Sequence, residues 1–306
     1  MQRRFLDYLI ISLKGLAMGA ADAVPGVSGG TIAFISGIYE ELVSTISNIN
    51  ISLFKTLFKQ GIIAFWKQLN GNFILALLSG VIVSYITFMR LAKYLLEHHP
   101  VLIWSFFFGL IIASIYFVGK QIVKWNAAVV LSLILGTGIA FYISILPTMA
   151  TNDNDIFFFL AGAIAICAMI LPGISGSFIL IILGAYKTLS DAIHDVNVKK
   201  LVIFVAGAGI GLLSFSHLLK WLFKNYRDIT LALLTGFIFG SLNKVWPWKE
   251  TLTWHTNSKG IKEPLIQQSI SPLSFSGDNQ LLLASILIVF GFLTIFILEK
   301  LGSKKQ

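Results

Sequence analysis

Charged residues are scarce in this sequence: Asp, Glu, Lys and Arg make up 12% of its 306 residues, and its mean hydropathy is +0.83. Because soluble domains carry about 25% charged residues, this chain cannot cover a water-soluble surface. Its apolar residues instead form blocks of about 20, the length that crosses the hydrocarbon core of a bilayer. The composition therefore predicts an integral membrane protein.

The sequence also has only one cysteine, and its histidines are not clustered. The single cysteine, Cys167, can form no disulfide within the chain and is expected to pack as a small apolar residue. The five histidines show no metal-ligand spacing, and the 23 Lys and Arg residues lie between the apolar blocks rather than on one basic face. We therefore expect no cofactor, no metal and no nucleic-acid partner, and a bilayer as the surroundings.

The apolar blocks predict an all-α membrane fold. Two pairs of blocks are each split by a Pro-Gly-x-Ser-Gly sequence that begins at Pro25 or at Pro172, and neither proline can lie inside an unbroken helix. Each pair is predicted to be a re-entrant hairpin or two helices that meet at a loop, with a short turn in water between two full spans as the alternative. The blocks lie at about residues 5–24, 29–47, 72–95, 101–119, 127–147, 156–171, 175–190, 201–219, 229–246 and 280–299.

The two Pro-Gly sequences belong to a longer internal repeat. Pro25 and Pro172 are 147 positions apart, and neighbouring residues, among them Gly15 and Gly162, match at the same spacing. Farther along the chain the spacing becomes 127, and there Gly80 matches Gly207. Each half, 1–150 and 151–306, then holds one broken helix pair and about three transmembrane helices. An odd number of crossings per half predicts two inverted-topology repeats within one membrane domain, an architecture of secondary transporters.

The distribution of Lys and Arg predicts the orientation. With both broken pairs re-entrant and the N-terminus inside, the inside segments hold more cations than the outside segments. We therefore predict that the N-terminus and the C-terminus are both cytoplasmic. The long segment 247–279 is then external.

Both Pro-Gly sequences are followed by hydroxyl residues at the predicted start of a helix. A helix N-terminus offers unpaired N–H groups and a partial positive charge, so two such loops together predict an anion site, although Ser28 and Ser175 could simply be N-caps. Pro25 and Pro172 are the predicted helix breaks. The candidate phosphate-binding residues are Gly26, Val27, Ser28, Gly29, Gly30, Thr31, Gly173, Ile174, Ser175, Gly176 and Ser177.

Few ionisable residues lie within the apolar blocks. Asp22 stands three residues before Pro25 and could carry a coupling proton, bind sodium, or hold the loop by accepting N–H bonds. Glu40 and Arg90 are further candidates for a role in coupling or charge balance. Their alternative roles are to mark the membrane interface and to reach the lipid headgroups.

The sequence Asp22-Ala-Val-Pro-Gly-Val-Ser-Gly-Gly-Thr31, together with Leu171-Pro-Gly-Ile-Ser-Gly-Ser177, resembles the bacterial polyprenyl-phosphate transporter family over about residues 10–300. The resemblance implies a transporter in the bacterial plasma membrane, not an enzyme. It would return undecaprenyl phosphate from the outer to the cytoplasmic leaflet, where this lipid carries cell-envelope precursors. The partners implied are a polyprenyl-phosphate lipid and a coupling proton or sodium ion.

Two other functions compete with lipid transport. Undecaprenyl-pyrophosphate phosphatases also have inverted repeats and a Pro-Gly-x-Ser loop, but an arginine follows their serine, where this chain has Gly29 and Gly176. A carrier or channel for small anions could use similar glycine–serine loops. Dependence on the lipid tail would separate the latter from a lipid transporter.

Overall fold

A computed structural model describes residues 3–22, 28–152, 154–256 and 262–303. The chain is mostly helical. The helices are α1 (Phe5–Asp22), α2 (Gly29–Ile35), α3 (Tyr39–Ser47), α4 (Ile51–Gln68), α5 (Gly71–His98), α6 (Pro100–Gly119), α7 (Ala127–Ile145), α8 (Asp155–Ile170), α9 (Gly176–Ile182), α10 (Tyr186–His194), α11 (Val198–Asn225), α12 (Arg227–Gly240) and α13 (Leu281–Ser303).

Four of the described helices, α5, α6, α7 and α11, are long and apolar enough to cross a membrane. Two shorter apolar helices, α8 and α13, accompany them, and α9 and α10 form an apolar pair bent by 107°. Many large apolar side chains of these helices are exposed, as a lipid-facing surface requires. The prediction of a multi-pass membrane protein is confirmed.

The two broken pairs are hairpins. In the first, the Lys14 Nζ of α1 donates a hydrogen bond of 2.6 Å to the carbonyl of Ser36, so α2 runs back alongside α1. In the second, α9 runs back along α8, and a Cβ at Gly176 would lie 2.6 Å from the carbonyl oxygen of Ala165. Because α2 and α9 have 7 residues each and rise only about 10 Å, neither can be a full span, which argues against the turn-in-water alternative.

The predicted helices 29–47 and 175–190 are not continuous, and this part of the prediction was wrong. Each is interrupted at a glycine in the left-handed region, Gly37 at φ +74° and Gly184 at φ +66°. This backbone conformation ends an α-helix, and glycine adopts it without a Cβ penalty. The chain therefore forms a short helix in each hairpin, α2 or α9, and then a separate helix of 9 residues, α3 or α10.

Ion pairs and hairpin contacts define two ends of the helix bundle. At the amino-terminal end, Arg3 binds Glu41 at 2.6 Å and Arg227 binds Glu40 at 3.1 Å. Lys199 pairs with Asp155 at 2.6 Å near the start of α11, whereas Arg227 lies just beyond the end of that 28-residue helix, so the two pairs lie at opposite ends of the bundle. Because α1 begins near Arg3 and α8 begins at Asp155, the two hairpins enter from opposite ends and their tips meet between them.

Glycines let helices approach closely at matching places in the two halves. A Cβ at Gly15 or at Gly80 would overlap the backbone of the facing helix in the α1–α5 pair. Gly162 and Gly207, their counterparts in the sequence repeat, have the same relation in the α8–α11 pair. Small residues at helix contacts are typical of membrane bundles. The helices α6 with α13 and α7 with α12 form two further close pairs.

The expected all-α fold is wrong in the segment 247–279, where β1 (Lys249–Thr256) and β2 (Lys262–Ser269) form an antiparallel hairpin. Thr and Ile residues in these segments favour extended structure. The indole N–H of Trp246 donates to the carbonyl of Ile270, and that of Trp248 donates to Asn279. These bonds close the base of the β-hairpin, and the Trp246 ring packs edge-on against Phe108 of α6. We call this side of the molecule the β-hairpin end.

Candidate substrate-binding site

The tip of the first hairpin is closed by Asp22. Its carboxylate accepts a 2.6 Å hydrogen bond from the backbone N–H of Gly29, which joins the last residue of α1 to the first residue of α2. A Cβ at Gly29 would overlap this carboxylate, so the contact requires glycine. This hydrogen bond is of the kind expected for an Asp22 that holds the loop, which is one of its three predicted roles. Pro25, Gly26 and Val27 lie outside the described residues.

Ser28 and Thr31 use their hydroxyls within the protein. Ser28 is the N-cap of α2, because its Oγ accepts from the N–H of Gly30 at 3.1 Å. The same Oγ lies 3.3 Å from the carbonyl oxygen of Met169, at the tip of the second hairpin. Thr31 Oγ1 accepts a 2.8 Å hydrogen bond from the N–H of Gly173. Both side chains are buried, so the start of α2 contacts the tip of the second hairpin directly.

The second loop, Leu171 to Ser175, keeps a polar face open. Gly173 has φ +83°, and a Cβ there would lie 2.6 Å from the carbonyl oxygen of Phe237. Ser175 begins α9 but makes no side-chain cap. Its hydroxyl instead lies 2.9 Å from the hydroxyl of Ser177, which is exposed. The matching serines of the two loops therefore differ in what remains available to a ligand.

A small cleft lies beside the second loop. Its volume is about 10 Å³, room for about one water molecule. A phosphate group is larger than this and would enter only if the cleft widened. The cleft is lined by Ala140, Ile143, Ser144, Gly173, Ile174, Ser175, Phe178, Ser241 and Lys244.

Lys244 is the residue of this cleft that the sequence reasoning missed. In the predicted orientation it is one of the outer cations and has no role in a site. In the structure its Nζ lies 3.9 Å above the ring of Phe178, close to the second loop. The run Lys244-Val-Trp-Pro-Trp-Lys249, with two lysines around two tryptophans, is the signal in the sequence that could have drawn attention to it.

Glu40 and Arg90 are not part of this arrangement. Glu40 pairs with Arg227 at the start of α12, whereas the second loop contacts Phe237 near the end of that helix. The two points are separated by about ten residues of α12, roughly 15 Å. Arg90 is exposed on α5, and no contact found among the described residues joins it to either loop.

The sequence of this chain is similar to that of known proteins. Residues 18–263 match the family described as VCA0040-like, undecaprenyl phosphate translocase-like. The chain belongs to this family. The matched range includes both Pro-Gly loops, the cleft and most of the β-hairpin.

Two curated relatives of this VCA0040-like chain are both named polyprenyl-phosphate transporter. The protein of Vibrio cholerae is 47% identical over 99% of this chain and 100% of the relative. The protein of Staphylococcus aureus is 33% identical over 77% of this chain and 85% of the relative. No solved structure matches the chain. The names of the family and of the relatives indicate a transporter, so the expectation that the chain is not an enzyme is confirmed.

Proposed function

We propose that this chain is a flippase that returns undecaprenyl phosphate from the outer to the cytoplasmic leaflet of the bacterial plasma membrane. The observation that carries the proposal is the meeting of the two Pro-Gly hairpins, which enter from opposite ends and touch through Ser28, Thr31 and Gly173. The family description and the names of both relatives support the choice of substrate class.

The two halves, residues 1–150 and 151–306, are inferred to be inverted repeats of one membrane domain. The matching close contacts of Gly15 and Gly162, and of Gly80 and Gly207, support this relation. In transporters of this kind the halves exchange roles, so that a central site opens first to one side and then to the other. The small cleft at the second loop represents a state in which the site is nearly closed.

The phosphate headgroup would move along a polar path past the two loops while the prenyl tail stays in the bilayer. The residues proposed to line this path are those of the two Pro-Gly sequences, 25–31 and 172–177. In the conformation described, Ser175 and Ser177 are the hydroxyl residues of these segments that face the cleft or solvent. Ser28 and Thr31 would bind phosphate only after their bonds to the second loop break.

Inward movement of the headgroup requires energy. A phosphate monoester carries about −1.5 to −2 charges at pH 7, and a charge that moves against the membrane potential costs about 2.3 kcal/mol per 100 mV. We therefore propose coupling to a proton or sodium ion, with Asp22 as the carrier. Both termini are proposed to be cytoplasmic, in which case the β-hairpin end faces outward.

The proposal is tested by the amount of undecaprenyl phosphate at the cell surface, measured with an impermeant probe that binds phosphate lipids. Surface exposure should rise when the protein is lost and fall when it is overproduced. The double variant Ser28→Ala/Ser175→Ala should fail to lower exposure when produced at the same level. Unchanged exposure in cells that lack the protein would reject lipid transport, and uptake of inorganic phosphate into proteoliposomes would then test the small-anion alternative.

A further inference from the structure

Two lysines lie side by side behind the second loop. Lys244 follows α12, and its ammonium group lies over the ring of Phe178 at 3.9 Å. Lys249 begins β1, donates a hydrogen bond to the carbonyl oxygen of Lys244, and lies 4.1 Å above the ring of Trp104. Both side chains are largely withdrawn from solvent, and neither forms an ion pair among the residues that the structure describes.

Such a pair is costly without an anion. Lysine is almost never buried unless it is paired, and two like charges at close range repel each other. Aromatic faces and one carbonyl oxygen supply only partial negative charge. Burial lowers the pKa of Lys244 to about 8, and burial together with the charge of Lys244 lowers the pKa of Lys249 to about 7. The site thus favours either loss of protons or the arrival of a negative charge.

The lysines are placed where the proposed headgroup would arrive from the β-hairpin end. Lys244 and Ser175 line the same cleft. The other two serines there direct their protons to carbonyl groups, Ser144 to Phe141 and Ser241 to Ile238. Ser175 shares one hydrogen bond with Ser177, so one proton of these two hydroxyls stays available for an acceptor. The cleft therefore offers an ammonium group and a hydroxyl, which are donors for a phosphate.

The described residues of the first Pro-Gly sequence, Ser28 to Thr31, offer no such set in this conformation. The hydroxyls of Ser28 and Thr31 contact the second hairpin, and Lys14 of α1 donates a hydrogen bond to the carbonyl of Ser36. Among the residues that the structure describes, unused hydroxyl donors and a buried cation therefore lie together at the second loop and not at the start of α2.

We propose that Lys244 binds the phosphate headgroup at the second loop, together with the Ser175 hydroxyl, and that Lys249 adds a second positive charge behind it. The inference rests on the proposed function and deepens it, because it assigns the first binding position to the β-hairpin end. The alternative is that both lysines only anchor the helix bundle at the membrane interface.

The test compares four purified proteins: wild type, Lys244→Met, Lys244→Arg and Lys187→Met. Methionine keeps an apolar stem over Phe178 without the charge, and arginine keeps the charge. Lys187 is an exposed cation on α10 at the same end of the bundle and is a control for net charge. Two readouts are measured: the dissociation constant for undecaprenyl phosphate in nanodiscs, and the initial rate of its movement in proteoliposomes.

Lys244→Met should raise the dissociation constant about tenfold or more, as expected for loss of a charged hydrogen bond. Lys244→Arg should stay within about threefold of wild type, because guanidinium groups also bind phosphate, and Lys187→Met should not differ from wild type. The ligand-free Lys244→Met protein should unfold at the same temperature as wild type or higher, since a buried charge has been removed.

Two results would overturn the inference in different ways. If wild type moves the lipid and Lys244→Met binds and moves it equally well, Lys244 is not a phosphate ligand and the transport proposal stands. If wild type neither binds nor moves the lipid, the transport proposal fails, and the same variants are then measured for binding of inorganic phosphate. Equal phosphate binding by wild type and Lys244→Met would reject the anion site itself.

Discussion

Ser28 and Ser175 occupy matching positions in the two Pro-Gly sequences, yet their hydroxyls have different roles. Ser28 caps α2 and contacts the carbonyls of the second hairpin, whereas Ser175 leaves α9 uncapped and faces a cleft. One hydroxyl therefore holds the two hairpins together, and the other remains available for a ligand. In an alternating mechanism these roles would be exchanged when the contact between the hairpins breaks.

Asp22 allows a test that separates loop support from charge. Its carboxylate accepts the N–H of Gly29 at 2.6 Å. Asp22→Asn keeps an acceptor oxygen but removes the charge, whereas Asp22→Ala removes both. If Asp22 carries the coupling ion, Asp22→Asn should transport lipid at a rate that no longer depends on an imposed proton or sodium gradient.

Thermal unfolding of Asp22→Asn and Asp22→Ala is the control for the transport measurement. We expect Asp22→Ala to lose about 1–3 kcal/mol of stability because the N–H of Gly29 is left unsatisfied, and Asp22→Asn to lose less. A normal response of Asp22→Asn to ion gradients, with only Asp22→Ala impaired, would show that Asp22 supports the loop and does not carry the ion.

When an anion binds at Lys244 above neutral pH, the protein should take up protons. Its lowered pKa of about 8 means that the group is mostly neutral at pH 9 in the free protein, and a bound phosphate favours the charged form. Lys249, with its pKa of about 7, is the titratable neighbour that acts on it. The affinity of the protein for the anion therefore falls as the pH rises through about 8.

Calorimetry in buffers of different ionisation enthalpy measures this uptake. Wild type should bind protons together with the lipid at pH 9 and few at pH 6, where both lysines are already charged. Lys244→Arg should take up fewer protons at pH 9. Equal uptake by both proteins would contradict an anion contact at Lys244.

At the scale of the elements, close helix pairs depend on individual glycines. Gly207 of α11 faces the backbone of α8 so closely that a Cβ would overlap the carbonyl of Phe159, whereas Gly209, two residues further on, faces open space. Gly207→Ala should lower stability by about 1–3 kcal/mol through overpacking. Gly209→Ala should be neutral or slightly stabilising, because alanine favours helix.

The stabilities of Gly207→Ala and Gly209→Ala, measured by unfolding in the same detergent, check this prediction. The sequence repeat pairs Gly80 of α5 with Gly207, so Gly80→Ala should reproduce the defect of Gly207→Ala. Equal stability of Gly207→Ala and Gly209→Ala would show that the α8–α11 contact is looser than described.

The sequence predicted the apolar helices and the two Pro-Gly breaks because these depend on composition and on proline itself. It did not predict where α2 and α9 end, since Gly37 and Gly184 are two of 26 glycines and the sequence does not show which of them adopt the left-handed conformation that ends a helix. It missed the β-hairpin, because a long polar segment gives little periodic signal. Lys244 was missed as a site residue for a related reason: α12 and the second loop come together only through folding.

At the scale of the whole molecule, the opposite entry of the two hairpins predicts which residues face each side of the membrane. Replacement of Cys167 by Ala gives a background without thiols, since Cys167 is the only cysteine. A cysteine introduced at Ser190 of α10 should react with an impermeant thiol reagent in intact cells. A cysteine at Lys59 of α4 should react only after the membrane is opened, because it is proposed to be cytoplasmic.

Both positions are exposed in the structure, so accessibility in the folded protein does not limit the reaction. Labelling of Lys59→Cys but not Ser190→Cys in intact cells would reverse the proposed orientation. Labelling of both from outside would contradict the opposite entry of the two hairpins.

The central claim is that the chain itself moves the headgroup of a polyprenyl phosphate across a bilayer. The most direct test is the purified protein in liposomes that contain undecaprenyl phosphate, with the outer-leaflet fraction followed by an impermeant phosphate-binding probe. We predict that wild type equilibrates the leaflets much faster than protein-free liposomes and that Ser28→Ala/Ser175→Ala is slower. Equal rates with and without the protein, under imposed proton and sodium gradients as well, would contradict the claim.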